Sequence, residues 1–386
     1  MFECLQDKNV QLMLKLSREN KFDFSSLVDE LASVDMHEFF ILCVEHELEG
    51  VIAARILKHD ICELTGEWRD AYERDKARLS FLKNKASDIC DLMDKNGIKM
   101  VILKNGGIMS DMVEDVAACP MEDIDSLVKK SDFLKAHALL EQSGLKFTFR
   151  SQYEKEDLDA AFREGSTEYY IDMPGDGVMW FELAWRAVAG RWIRQDLEPD
   201  TNELIDRAYK AKDSNIGVLS PEDNLLQVCV HTAKHSYVRA PGLRLHLDVE
   251  RIVAHKKIDW DMFVQRVKSA HVKISTYFSL YFAKMLFDTP IPNHVFAELE
   301  PKRAKKRKIL KIIDKVGLLY PKKKKFTKIQ FLRFQTALYD TFYDMLRVLY
   351  PKNGRLHEIY NYKSPFLTPF YIILRAFDLM GIRRKK

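Results

Sequence analysis

Along residues 1–98 the apolar positions recur at helical spacing. Between His37 and Ile56 they fall at Phe40, Leu42, Val44, Leu48, Val51 and Ile52. From Trp68 to Lys95 they fall at Ala71, Ala77, Leu79, Leu82, Ala86, Ile89 and Met93, the period of an amphipathic helix. Ser25-Ser26 with Asp29 and Glu30 behind it predicts a capped helix start. Asn96-Gly97 predicts the end of the long helix.

From Lys99 the pattern changes. Met100 to Leu103 is a short apolar run that reads as a strand and stops at Lys104-Asn105-Gly106-Gly107, which reads as a Gly-Gly turn. Asp123 to Val128 reads as a second strand. Residues two apart on a strand share a face, so Asp123 and Asp125 are expected side by side, with Ile124 and Leu127 turned into a core. Lys130-Ser131-Asp132 opens a helix whose buried face is Phe133, Ala136, Leu139 and Leu140, closed by Ser143-Gly144. Leu145 to Phe149 reads as a strand. A hairpin is expected from Ser166–Met173, through Pro174-Gly175-Asp176-Gly177, to Val178–Ala184. Its returning strand carries one acid, Glu182, in an apolar and aromatic run, which is costly unless the acid is paired or metal-bound.

Helical spacing then returns. Ser220-Pro221-Glu222-Asp223 combines a cap, a proline at the first helical position and acids in the first turn; the helix runs on through His231 to His235. Arg244 to Ala254 and a helix opening at Ile258-Asp259-Trp260 follow. Phe331 to Tyr350 is read as one aromatic-rich helix and Phe366 to Met380 as a final apolar one. The chain is therefore expected to be α+β, in four regions: helical 1–98, an α/β core over 99–200, helical 201–295 completing a cleft, and a basic, aromatic-rich helical 296–386.

Of the 386 residues, 47% are hydrophobic and 31% charged, the balance of an ordinary globular chain. No run of about 18 apolar residues suggests a transmembrane helix, and the charged Met1–Asn20 stretch is not read as a signal peptide. The six cysteines are single, with no C-x-x-C spacing, which argues against zinc and disulfide frameworks and for a reducing, cytoplasmic setting. Charge is segregated. Residues 302–328 hold thirteen Lys or Arg and one acid, a net of +12, which leaves −8 for the rest of a chain whose total is +4. That segment and the tail Arg383-Arg384-Lys385-Lys386 have three readings: a solvated helix and loop, RNA binding through phosphates, or peripheral contact with an anionic membrane. The Phe366–Met380 helix reads either as a membrane-interface helix or as a core helix capping the C-terminal region, the latter being favoured.

Two carboxylates side by side cost free energy unless a cation neutralises them, and a hard divalent ion with oxygen ligands does so. Asp123 and Asp125 can also be plain solvent-facing strand residues, and Glu182 can simply pair with Arg186 or Lys104. His231 and His235, four apart on a helix, have zinc-like spacing but no evident third ligand, which favours packing or substrate contact. Asp248, alone among apolar neighbours, reads as a buried partner of His231, His235 or Arg244.

The order of these pieces resembles DNA polymerase β-like nucleotidyltransferases, and more closely the bacterial family of uncharacterised nucleotidyltransferases. The likeness spans roughly residues 25 to 292. It rests on His46-Glu47-Leu48-Glu49-Gly50-Val51, Ile98–Lys104, Asp123-Ile124-Asp125-Ser126-Leu127-Val128, Phe181-Glu182-Leu183, Pro221–Leu226, the His231/His235 helix, Leu247-Asp248 and Ile258-Asp259-Trp260. The resemblance implies a polymerase β-like mixed sheet. It also implies two Mg²⁺ ions held by Asp123, Asp125 and Glu182 as the catalytic and metal residues. A nucleoside triphosphate, ATP by expectation, would be held by Lys104, Asn105, Gly106, Gly107 and Arg186, with His231, His235 and Asp248 as substrate or supporting residues. The nucleoside monophosphate would pass to a hydroxyl of a small molecule, glycan or peptide, as in polysaccharide or natural-product biosynthesis. The chain departs from the family pattern at Asn105, Cys119, Glu122 and Ala184, where the family usually carries Gly, Arg, Gly and His. These departures motivate a second reading, a non-catalytic scaffold at a membrane or on RNA. A third is toxin-like transfer to tRNA, which the basic segment permits.

Overall fold

In the computed structural model the described residues are 2–379, apart from 20, 21, 65, 151–155, 176, 188–192, 194–196, 241, 320–325, 350–355 and 357–359. The architecture is α+β: a seven-stranded mixed sheet flanked by helices.

The N-terminal part is helical, as its periodicity predicts. It comprises α1 (Lys8–Ser17), α2 (Val28–Ala32), α3 (Met36–Glu45), α4 (Glu49–Lys58) and the long α5 (Gly66–Lys95). The helix expected over His37–Ile56 is two helices. Glu47 takes a left-handed backbone between them, a conformation a continuous α-helix cannot contain. The α5 stripe is as expected except at Ala77, which is exposed. Its end falls where Gly97 adopts φ +72°, the left-handed cap that glycine takes without a Cβ penalty.

The sheet order is β3-β4-β5-β2-β1-β7-β6, with β1 (Val101–Ile102), β2 (Asp123–Leu127), β3 (Lys146–Phe147), β4 (Ser166–Asp172), β5 (Val178–Ala184), β6 (Tyr209–Lys210) and β7 (Gly217–Val218). The β4–β5 hairpin is the one expected. β6 and β7 carry no sequence signal of their own and extend the sheet beyond residue 200. The connections hold α6 (Lys104–Met112), α7 (Phe133–Gln142), α8 (Leu158–Glu164) and α9 (Thr201–Arg207).

Two expectations are corrected here. Gly106 and Gly107 are not a turn; they lie buried in the first turns of α6. A Cβ on Gly107 would stand 2.6 Å from the Ile102 carbonyl oxygen, and one on Gly106 would stand 2.7 Å from Ile102 Cγ2. The glycines therefore let α6 lie directly on β1. Gly107→Ala is expected to cost about 1–3 kcal/mol through overpacking, read as a lowered denaturation midpoint; an unchanged midpoint would show that α6 can move away freely. Leu127 does not face the same way as Ile124. It belongs to a small cluster with Val101, Leu103, Ala184, Leu204, Ile205 and Leu219, whereas Ile124 joins the main core with Phe133, Phe181 and Leu183. The strand period of two puts Leu127 on the carboxylate face, and α9 covers it there.

The helical region after the sheet contains α10 (Pro221–Lys234), α11 (Arg244–His255), α12 (Trp260–Ser269), α13 (Lys273–Phe287) and α14 (Asn293–Leu299). The Ser220 hydroxyl caps α10 by accepting from the Asp223 N–H, with Pro221 at the first helical position. The basic segment contributes α15 (Arg303–Val316), which buries Ile309 and Ile313 and exposes most of its cations. The expected Phe331–Tyr350 helix is two, α16 (Lys328–Ala337) and α17 (Phe342–Leu349). The last helix, α18 (Thr368–Leu379), is not a buried core helix: Phe370 and Ile373 are exposed. Lys322–Lys325 and the Arg383–Lys386 tail lie outside the described residues.

Candidate active site

β2 and β5 run parallel, with Asp123 opposite Trp180 and Asp125 opposite Glu182. Across the hairpin, Glu168 of β4 is opposite Glu182. Directly opposed residues project from the same side of a sheet, so Asp123, Asp125, Glu168 and Glu182 share one face. That face forms one wall of a cleft of about 400 Å³. The N-terminus of α6 supplies Lys104 and Asn105, α10 and the turn after it supply His231, Lys234 and His235, and α11 supplies Arg244.

Like charges this close need counter-charges. Lys104 sits where β1 gives way to α6, with φ +51°, a left-handed backbone uncommon for a residue with a side chain. From there its Nζ reaches Asp125 Oδ1 at 2.7 Å. Burial disfavours its charge, but Asp125 and Glu182 outweigh burial and hold the ammonium pKa above its usual value. Burial pushes the Asp125 carboxyl up; Lys104 pulls it down, and Glu182, in hydrogen-bonding contact with it, pushes it up again. Arg150 answers the other two acids. Its Nη2 donates to Asp123 Oδ2 at 2.6 Å and to Glu168 Oε1 at 3.0 Å, and its guanidinium lies 5.4 Å from the centre of the Trp180 ring.

The opposite wall is basic and neutral. Burial, then Lys104, lowers the Lys234 pKa. Burial holds His231 well below its ordinary value, with Lys104 adding to the effect. It holds His235 at about 4, partly opposed by a hydrogen bond between Nδ1 and the Ala240 carbonyl (2.7 Å). The two rings meet edge to face at 4.8 Å.

Behind the cleft, Asn105 Nδ2 donates to the buried Asp248 at 3.1 Å. Asp248 thus meets Asn105 rather than His231 or His235, and the expected Arg244, together with Arg251, opposes the upward push of burial on its carboxyl. The Cys119-Pro120 loop receives two arginines of α11: Arg251 donates to the Ala118 carbonyl, and Arg244 Nη1 to the Pro120 carbonyl at 2.5 Å. Cys119 is buried, its Sγ 3.6 Å from the Asn105 carbonyl.

Asp123, Asp125, Glu182, Lys104, Asn105, His231 and His235 therefore line one cleft. Gly106, Gly107 and Arg186 do not. The glycines face β1, and Arg186 pairs with Glu198 and donates to the Glu164 carbonyl, which leaves it unavailable to Glu182. Arg150, Glu168 and Lys234 also line the cleft and escaped the sequence reading; Arg244, expected only as a partner of Asp248, lines it too. Only the hairpin register could have shown Glu168, because it sits opposite Glu182.

Among the described residues no group of three or more His, Cys, Asp or Glu side chains stands ready as a metal site: Asp123 is drawn to Arg150, while Asp125 and Glu182 face each other and Lys104. The donors themselves suit a hard divalent cation, being carboxylate oxygens on neighbouring strands. A buried carboxylate in contact with a second one is an arrangement that a cation relieves.

The family model described as "Uncharacterised nucleotidyltransferase" matches residues 32–288, more than half of the chain and including every residue of the cleft. No curated protein matches.

Proposed function

We propose, from the premise that the chain belongs to the uncharacterised nucleotidyltransferase family, that it moves a nucleoside monophosphate from a nucleoside triphosphate, ATP by preference, to a hydroxyl of a small molecule, glycan or peptide, with Mg²⁺. The observation that carries this reading is the convergence of Asp123, Asp125 and Glu182 on one face of two paired strands, with Lys104 against them.

Asp123, Asp125 and Glu182 would hold the metal, and Glu168 adds negative charge beside them. Bound Mg²⁺ would neutralise charge at the α-phosphate and favour ionisation of the acceptor hydroxyl. The Lys104 ammonium, fixed by Asp125 and the first turn of α6, places a donor where phosphate oxygens can meet it. Lys234 and Arg244 add positive charge from the opposite wall. A neutral His231 accepts a hydrogen bond from the acceptor hydroxyl and orients it. Asp248 holds Asn105, and so the entry of α6, in place.

Arg150 occupies Asp123 and competes with a metal for it. Arg150→Ala is expected to raise the affinity for Mn²⁺ several-fold by calorimetry; an unchanged affinity would remove Asp123 from the ligand set. The reading as a whole is tested by calorimetry with Mg²⁺ and a nonhydrolysable triphosphate analogue. Binding that Asp125→Asn abolishes supports it. No binding at millimolar concentrations would favour a non-catalytic member of the family.

A further inference from the structure

The C-terminal region carries surface apolar groups that the cleft does not use. Of the fifteen large hydrophobic residues exposed among the described residues, nine lie beyond Lys328. The densest set is on α18 and the turn before it. Phe366 is 92% exposed, and Phe370, Ile373 and Phe377 follow at one-turn intervals. At about 100° per residue Phe370, Ile373 and Phe377 fall within one narrow stripe of the helix, and Phe366 stands exposed in the turn that leads into it.

The helix packs through another face. Tyr371 stacks on Tyr360 and Tyr362, with ring centres at 5.1 and 4.3 Å. The Tyr360 hydroxyl donates to Asp378 Oδ2 at 2.6 Å, and the Tyr362 hydroxyl is 3.1 Å from Thr368 Oγ1. Tyr371 and Asp378 lie about a quarter to a third of a turn away from the Phe370–Ile373–Phe377 stripe.

Around α18 the chain carries both signs of charge, as at Lys363, Arg375 and Asp378, and the cations of the C-terminal region are concentrated earlier, on α15. α15 exposes Lys302 at its start and then Arg303, Arg307, Lys308, Lys311 and Lys315, in a segment of net +12 on a chain that is otherwise net negative. An exposed aromatic–aliphatic stripe with a dense cationic helix is the pair of features that anionic lipid surfaces select: apolar groups enter the headgroup–acyl boundary while cations meet the headgroups. Phosphates of RNA would use the cations but leave the aliphatic Ile373 stripe unused. No helix among the described residues is long and apolar enough to cross a membrane, so any such contact lies in the interface plane.

We propose that the C-terminal region docks the protein on anionic lipid surfaces, with the Phe370–Ile373–Phe377 stripe and the adjacent Phe366 inserted and α15 supplying electrostatic attraction. This proposal does not depend on the cleft being active. The test is vesicle flotation of the full chain. Wild type is expected to float with vesicles containing phosphatidylglycerol, to stay behind with phosphatidylcholine alone, and to release as salt is raised. Phe370→Ser/Ile373→Ser/Phe377→Ser, at exposed positions, is expected to lose at least tenfold in partitioning while melting like wild type. A second variant, Phe370→Trp, is expected to blue-shift its emission on anionic vesicles. No flotation with anionic vesicles, undiminished flotation of the serine variant when it is folded, or retention on RNA without vesicle binding would each overturn it.

Discussion

Asp125→Asn is expected to lower nucleotidyl transfer by at least ~10³-fold, about 4 kcal/mol of transition-state stabilisation, while leaving the fold intact. The substitution keeps the shape of the side chain and removes its charge. Asp125 is the most enclosed of the cleft carboxylates that face Lys104, 7% exposed and in contact with Glu182. A neutral amide there offers one oxygen donor instead of two and no charge to balance a divalent ion. Stability should move the other way. Because the folded-state pKa of Asp125 is raised, its contribution to folding is most favourable at low pH and is lost as pH rises through that value. Removing the carboxyl at neutral pH is therefore expected to leave the melting temperature unchanged or higher, since Glu182 remains to balance Lys104. A variant with wild-type transfer would exclude Asp125 from the chemistry. One that unfolds would show that its partnership with Lys104 is structural.

Glu19→Gln is expected to have the largest effect on stability, a loss of about 3–5 kcal/mol at neutral pH. Glu19 Oε1 accepts from Arg251 Nε at 2.9 Å, and Oε2 accepts from Arg55 at 3.2 Å and stands 3.3 Å from His255 Nε2. Arg251 is fully buried, so an amide at position 19 leaves its guanidinium without the carboxylate it is hydrogen-bonded to. Burial pushes the Glu19 carboxyl up, but Arg251, His255 and Arg55 overcome it and hold the pKa far below the ordinary glutamate value of 4.5. A group depressed in the folded state contributes stability above its unfolded pKa and loses it as pH falls from there toward the folded value. The gap between wild type and variant in urea denaturation should therefore be full near pH 7 and shrink progressively below about pH 4.5. A gap under ~1 kcal/mol at pH 7 would mean that the cluster relaxes into solvent. Because Arg251 also donates to the Ala118 carbonyl, the variant should loosen the loop leading to Asp123.

The features legible in the sequence are those with local causes. The Ser220-Pro221 cap, the Asn96-Gly97 stop and the pairing of β4 with β5 are set by backbone preferences of a few residues, and the structure has each. Strand period places Asp123 beside Asp125; Glu182 joins them in the sequence only through the family resemblance, and the parallel pairing of β2 with β5 puts it opposite Asp125. What escaped depends on contacts between distant segments. Gly106-Gly107 reads as a turn by composition; only the approach of α6 to β1 reveals that the missing Cβ atoms serve packing. Arg186, at the end of β5, was free on paper to reach Glu182, but Glu198 takes it. Arg150 has no motif around it, and its role comes from lying across Asp123 and Glu168. The α18 stripe has the composition of a core helix, and nothing in a single chain of letters says which side of it another element will cover.

The measurement that bears most directly on the cleft is the fate of each phosphate of ATP. The full chain, Mg²⁺ and a pool of small-molecule and glycan acceptors are incubated with ATP labelled at the α-phosphate, and in parallel with ATP labelled at the γ-phosphate. Nucleotidyl transfer predicts that the α label moves to an acceptor, that the γ label leaves in pyrophosphate, and that Asp123→Ala/Asp125→Ala abolishes the transfer. Movement of the γ label to the acceptor, or equal α labelling by wild type and the double variant, would contradict it.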